Sequence, residues 1–246
     1  MSPLNLALAV LVFPCLIILS GLVIALRRTT PAVPPRDISI FLGLGFAAII
    51  LETVWCLLAL WWLLGKVDFK LLYAFITASI PEEGFRYAVI RWGLGRRPGV
   101  SLVTAMLLGS LVGLTFAAFE HVDYAVDKGW ATWLARSFTS VPYHTLSGAV
   151  LGYWAMLSIR TRQPWGLAGL AVLIIVHGLG NYWPLLYLDE PSVTEPTTLI
   201  EEFIVSGWAG NIAALSVVGL MSAVLFRKAW SENGCPLPGD VLPKPR

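Results

Sequence analysis

The sequence predicts an all-α polytopic membrane protein of about seven transmembrane helices with a polar site in the bundle core. Three observations carry that reading. Hydrophobic residues make up 57% of the 246 and charged residues only 13%, with a mean hydropathy of +0.75. A soluble domain carries about 25% charged residues, so this chain has too little polar surface to cover a water-facing globule. Apolar runs of roughly the ~20 residues needed to cross a ~30 Å hydrocarbon core recur along the whole sequence. Eleven tryptophans suit a chain with two membrane–water interfaces to line. The same figures exclude a soluble enzyme and a disordered chain, and a net charge of +2 leaves no basic field for nucleic acid. Cys15, Cys56 and Cys235 have no CxxC spacing and form neither a metal knuckle nor a disulfide framework.

The first run, Leu4–Leu26, ends at Arg27-Arg28 and has no basic segment before it, so it reads as a retained anchor rather than a signal peptide. Pro31, Pro34 and Pro35 then make a stiff loop. Ile38–Leu64, Phe69–Ile90 and Val100–Phe119 are the second, third and fourth runs. A polar stretch from Glu120 to Arg136 reads as a connection. Ser137–Ile159, Trp165–Leu188 and Leu199–Phe226 complete the set. Residues 1–226 are thus expected to form one transmembrane domain, and 227–246 a Pro-rich, disordered cytoplasmic tail.

Loop charge sets the orientation. The segments after the odd-numbered runs hold Arg27, Arg28, Arg36, Arg91, Arg96, Arg97, Arg160, Arg162, Arg227, Lys228, Lys244 and Arg246. Those after the even-numbered runs hold only Lys66, Lys70, Lys128 and Arg136, and Arg86 lies inside a run. The expectation is seven crossings of the cell membrane, with the N-terminus outside and the C-terminus cytoplasmic.

Ionisable groups at mid-membrane cost at least ~2.5–3.5 kcal/mol each on insertion scales, so each needs a partner or a task. The third run contains Pro81-Glu82-Glu83-Gly84-Phe85-Arg86. Pro81 removes a ladder donor, which predicts a kink or restart there. Arg86 is within one turn of either glutamate. Adjacent glutamates point about 100° apart, so one can hold Arg86 while the other faces a cavity. Glu120 ends the fourth run, beside His121 and Asp123, which read as interfacial. His144 lies about a turn inside the fifth run, with Ser147 and Gly148 permitting close helix approach. His177 and Asn181 project from one face of the sixth, thinned by Gly178 and Gly180. Glu52 and Asn211 rank below these. With a rise of 1.5 Å per residue, Glu82, Glu83 and His177 fall near the midplane. His144 and Asn181 lie roughly one turn outward and Glu120 farther out, so the set shares one layer.

No Gly-x-Ser-x-Gly elbow and no His-Glu-x-x-His occurs, which leaves water activation. A carboxylate can take a proton from water and return it to a leaving amine. Alternatively His144, His177 and either Glu83 or Glu120 can hold Zn²⁺ with an open fourth position. Asn181 can donate to a developing oxyanion. A transporter also suits intramembrane acids, but no internal repeat is evident.

In order, Pro-Glu-Glu-x-x-Arg, then Gly113 to His121, then His144 with Ser147-Gly148 and Gly152-Tyr153, then His177-x-x-x-Asn181 resembles the PrsW-type intramembrane proteases. These fall in a wider group with the CAAX-processing and bacteriocin-processing proteases, the YhfC proteins and the Aph-1 scaffold subunit of gamma-secretase. The stretch from Pro81 to Asn181 is about two-fifths of the chain. The resemblance implies an intramembrane endopeptidase in which Glu82, Glu83 and His144 are needed for cleavage of a single-span, anti-sigma-factor-like substrate. The CAAX pattern implies Glu82 or Glu83, His144, His177 and Asn181, with a prenyl-protein substrate as the alternative. A non-catalytic scaffold is the third reading. Arg86 stands where PrsW proteins usually have lysine, and His121 where they have asparagine. The Phe-x-x-x-His of the CAAX group is approximated here by Phe116 and Glu120.

Overall fold

A computed structural model describes residues 3–29, 31–63, 70–97, 99–128, 130–187 and 208–232. All regular structure among them is helical. The helices are α1 (Pro3–Arg27), α2 (Pro35–Leu63), α3 (Lys70–Leu72), α4 (Ile80–Gly95), α5 (Leu102–Lys128), α6 (Trp130–Phe138), α7 (Ser140–Thr161), α8 (Trp165–Tyr187) and α9 (Trp208–Glu232), and a π-helical turn, Tyr73–Ser79, joins α3 to α4. The chain is a multi-pass membrane protein. Four stretches are long and apolar enough to span: Pro35–Ala59, Leu102–Asp123, Trp165–Tyr182 and Gly210–Glu232. Length and composition therefore support four of the seven expected crossings. The third run is divided among α3, the π turn and α4, and α7 carries histidine, serine and threonine inward.

Two further expectations change, and one stretch is not described. The stretch from Glu120 to Arg136 is helical, because α5 continues to Lys128 and α6 follows. The last helix runs past Phe226 to Glu232. The acidic residues Asp189, Glu190 and Glu195, the start of the seventh run and the tail beyond Glu232 lie outside the described residues.

At Pro81 the backbone stays helical rather than restarting, and the π turn lies just before it. The Ile80 N–H reaches Phe75 O, a five-residue step. The next residue, Pro81, has no N–H to offer Ile76 O or Thr77 O. Two side chains from α2 take those carbonyls: Trp55 Nε1 donates to Ile76 O at 2.8 Å and Cys56 Sγ to Thr77 O at 2.9 Å. Buried carbonyls need a partner, and α2 supplies both. This fixes the start of the helix that carries the paired glutamates.

The core lies between α5 and α7. Gly109 and Gly113 on α5 face Gly148 and Gly152 on α7. A Cβ at Gly109 would strike Gly148 O, one at Gly113 would strike His144 O and one at Gly152 would strike Ala105 O. Glycine at four-residue spacing lets two backbones meet, as membrane helices require where no water drives association. The spanning stretch of α5 is 78% buried, whereas that of α2 is 17% buried. Leu57, Leu58 and Trp61 on α2 and Leu220 on α9 stay exposed, as lipid-facing side chains would.

Candidate active site

Glu82 and Glu83 sit in the first turn of α4 and both are buried. They divide the work as their angular offset requires. Glu83 binds Arg86 through Oε1, and the same oxygen meets His177 Nδ1 at 2.9 Å and the Tyr143 hydroxyl at 3.4 Å. Arg86 is fully buried and almost fully engaged. Its Nε donates to Glu82 O at 3.2 Å, and Nη1 donates to Ser147 Oγ at 2.7 Å and His144 O at 3.3 Å. The guanidinium also lies over the Phe116 ring, 5.2 Å from its centroid. A buried charge with this many partners locks α4 to α7.

Glu82 turns the other way. Its carboxylate accepts no hydrogen bond among the described residues, and Oε2 is buried without a partner. It lies 3.7 Å from His177 Nε2 and 4.0 Å from His144 Nε2. One ligand atom from each of Glu82, His144 and His177 falls within 4.8 Å of the others, and all three residues are buried. The rings of His144 and His177 are 5.5 Å apart and meet edge-on.

His177 reaches this point because α8 closes on the π turn. A Cβ at Gly178 would enter the Phe75 ring, so that glycine admits the neighbouring helix. Gly180 faces Ala214 of α9. Asn181, one turn along α8, is half-buried, and its amide makes no hydrogen bond among the described residues. Glu120 is not remote from the layer: its Oε2 is 2.9 Å from His144 Nε2, and Oε1 pairs with Arg136 at 2.6 Å. His121 is buried within the protein, packed on Trp133 with Nε2 3.3 Å from Ser137 Oγ, and takes no part in the Glu82–His144–His177 cluster. Glu52 is half-buried, and its Oε1 lies 2.7 Å from Cys56 Sγ, where it competes with Thr77 O for the single thiol proton.

The structure thus brings Glu82, Glu83, Arg86, Glu120, His144 and His177 together. The carboxylate that converges with both imidazoles is Glu82, whereas Glu83 and Glu120 each face one of them. Sequence reasoning missed Tyr143 and Arg136. The four-residue step from Arg136 through Ser140 to His144 was the available signal for Arg136.

The donor set fits a divalent metal. Two imidazole nitrogens and one carboxylate oxygen are the usual ligands of a catalytic zinc. A ligating histidine typically gives its second N–H to a carboxylate, and His177 has that arrangement, with Nδ1 on Glu83 and Nε2 turned toward Glu82.

A family model described as PrsW family intramembrane metalloprotease matches residues 34–200. The protein named Protease PrsW from Halalkalibacterium halodurans is 26% identical over 121 residues. That stretch covers 48% of this chain and 56% of the relative's length. No solved structure matches the chain.

Proposed function

This chain belongs to the PrsW family of intramembrane metalloproteases, and from that premise we propose that it hydrolyses a peptide bond of a single-span, anti-sigma-factor-like membrane protein. The observation that carries the proposal is the buried convergence of Glu82, His144 and His177. Glu83, held by Arg86 and Tyr143, keeps the His177 proton on Nδ1 and leaves the Nε2 lone pair facing Glu82. Zinc held by Glu82, His144 and His177 would act there as a Lewis acid. Glu82 is the group with an uncommitted carboxylate, able to ligate the ion or to take a proton from water and pass it to the leaving amine. Asn181 donates to the oxyanion as it develops.

The chain crosses the cell membrane seven times in this reading, through α1, α2, the α3–α4 segment, α5, α7, α8 and α9. The membrane domain runs through the end of α9 at Glu232, and the residues that follow it form a cytoplasmic tail. The excess of arginine and lysine after the odd-numbered runs supports a C-terminus inside and an N-terminus outside.

The test is cleavage of a purified single-span reporter by full-length protein in detergent. Glu82→Gln and His144→Ala are each expected to lower the rate by about 10²–10⁴-fold while the unfolding midpoint stays at the wild-type value. Wild-type rates in both variants would remove the catalytic assignment. Loss of folding in both would mark the polar groups as structural, as in a scaffold subunit.

A further inference from the structure

The π turn before α4 carries two aliphatic hydroxyls, and they behave differently. Thr77 Oγ1 donates to Tyr73 O at 2.5 Å, the usual back-bond of a hydroxyl within a helix. The same step from Ser79 would lead to Phe75 O, but that carbonyl receives the Ile80 N–H. Ser79 is fully buried, and its Oγ has no partner among the described residues.

Ser79-Ile80-Pro81-Glu82 has the Ser-x-x-Glu spacing of a capping box, in which hydroxyl and carboxylate each satisfy a backbone N–H. Here the backbone at Ser79 is itself helical, with φ −63° and ψ −38°, and the hydroxyl caps nothing. Because the π turn runs on into α4, both members of the box are released. Ser79 Oγ and Glu82 Oε2 are buried orphans three residues apart. Residues at that spacing share a helix face, with Cβ atoms about 5–6 Å apart. Two oxygens so placed, and not bonded to each other, are spaced for one water between them.

Neighbouring contacts show where this face looks. Phe75, four residues before Ser79, lies against Gly178 of α8, and Glu83, four residues after it, meets His177 of the same helix. Ser79 therefore stands between two contacts with α8. It is on the side of His177, whose Nε2 is 3.7 Å from Glu82 Oε2.

We propose that Ser79 is a further catalytic residue: its hydroxyl and the Glu82 carboxylate hold the attacking water between them, beside His177. The proposal rests on the reading of the chain as a hydrolase centred on Glu82. Glu82 accepts one O–H of the water and Ser79 Oγ the other, which leaves an oxygen lone pair for the peptide carbonyl carbon. As that C–O bond forms, the proton passes to Glu82, and from there to the amine as the C–N bond breaks. Ser79 forms no covalent bond and keeps its own proton throughout.

The experiment compares full-length wild type, Ser79→Ala, Ser79→Thr and Glu82→Gln on the single-span reporter in detergent. It reads kcat and KM separately, with Zn²⁺ affinity by chelator competition and the unfolding midpoint of each protein. Ser79→Ala is expected to lower kcat by about 10²-fold, with KM and Zn²⁺ affinity at wild-type values. Its midpoint should not fall, because the substitution removes a buried oxygen that no protein group satisfies. Ser79→Thr, which keeps the hydroxyl, should recover part of the rate. Should Ser79→Ala fail to fold, Ser79→Cys, which fills the same space with a weak acceptor, decides by the same readouts. Wild-type kcat in the deciding variant would overturn the proposal. So would a loss of rate accompanied by a lowered midpoint and not recovered in Ser79→Thr, which would make Ser79 a packing residue. If Glu82→Gln cleaves at the wild-type rate, the hydrolytic reading itself fails, and the role of Ser79 with it. An inactive Glu82→Gln beside a fully active Ser79→Ala removes the Ser79 assignment alone.

Discussion

The two sides of α7 are joined to their neighbours by opposite means. Against α5, along most of its length, the contact is glycine on glycine: Gly109, Gly113, Gly148 and Gly152 let backbone meet backbone, and the charged Glu120–His144 contact comes only at the end of that seam. Against α4 and α8 the contact is ionic, with Arg86 on Ser147 Oγ and His144 O, and Glu83 on His177 and Tyr143. The seams meet at the His144 carbonyl, which touches Gly113 from one side and receives Arg86 from the other. The glycine seam fixes where α7 lies. The ionic seam then uses that fixed backbone as the reference from which its side chains are aimed. A site that must hold charged groups in hydrocarbon gains from a dry, rigid seam next to it, because no helix shift is left to relax the charges.

Breaking the ionic seam should have the largest effect. Arg86→Met leaves Glu83 as a buried, uncompensated carboxylate and is expected to cost about 3–5 kcal/mol, read by sodium dodecyl sulfate titration in mixed micelles. A variant as stable as wild type would show that Glu83 finds another partner. Glu83→Gln is milder, since it keeps shape and some hydrogen bonding. It still leaves the Arg86 guanidinium buried without a counter-charge, so it should destabilise by somewhat less than Arg86→Met and lower zinc affinity by about 10–100-fold, measured by chelator competition.

The glycine seam should respond in stability. Gly148→Ala places a methyl against Gly109 O, and forcing the backbones apart is expected to cost about 1–3 kcal/mol in the same titration. Gly43→Ala sharpens the contrast. Gly43 is an exposed position in α2 with open space around it, whereas a Cβ at Gly45, two residues on, would meet Thr115 and Val112 O. With no contact to break, Gly43→Ala should stabilise the helix by about 0.5–1 kcal/mol.

Much of the ionic side was legible in the sequence. Glutamates, an arginine and histidines inside apolar runs stand out because hydrocarbon penalises them, and their depth along each run placed them in one layer. Which glutamate does which task was not legible. Glu82 and Glu83 differ by one helical step, and only the packing of α7 and α8 decides that Glu83 meets Arg86 while Glu82 meets the imidazoles. Tyr143 was hidden because an aromatic residue beside a histidine reads as packing. Arg136 was hidden because α6 is short and one-sided, and a polar stretch with no apolar run reads as a connection. The π turn before Pro81 was not legible either, since the proline announces a missing donor but not that Trp55 and Cys56 will supply it.

The central claim is that Glu82, His144 and His177 form one metal-binding reaction centre. Its most direct test is the metal-to-protein ratio of purified wild type, Glu82→Gln and His177→Ala, measured beside reporter cleavage before and after chelation. The account predicts metal in wild type and its loss in both variants, with cleavage abolished by chelator and restored by added Zn²⁺. Full cleavage by chelated, metal-free wild type would contradict it.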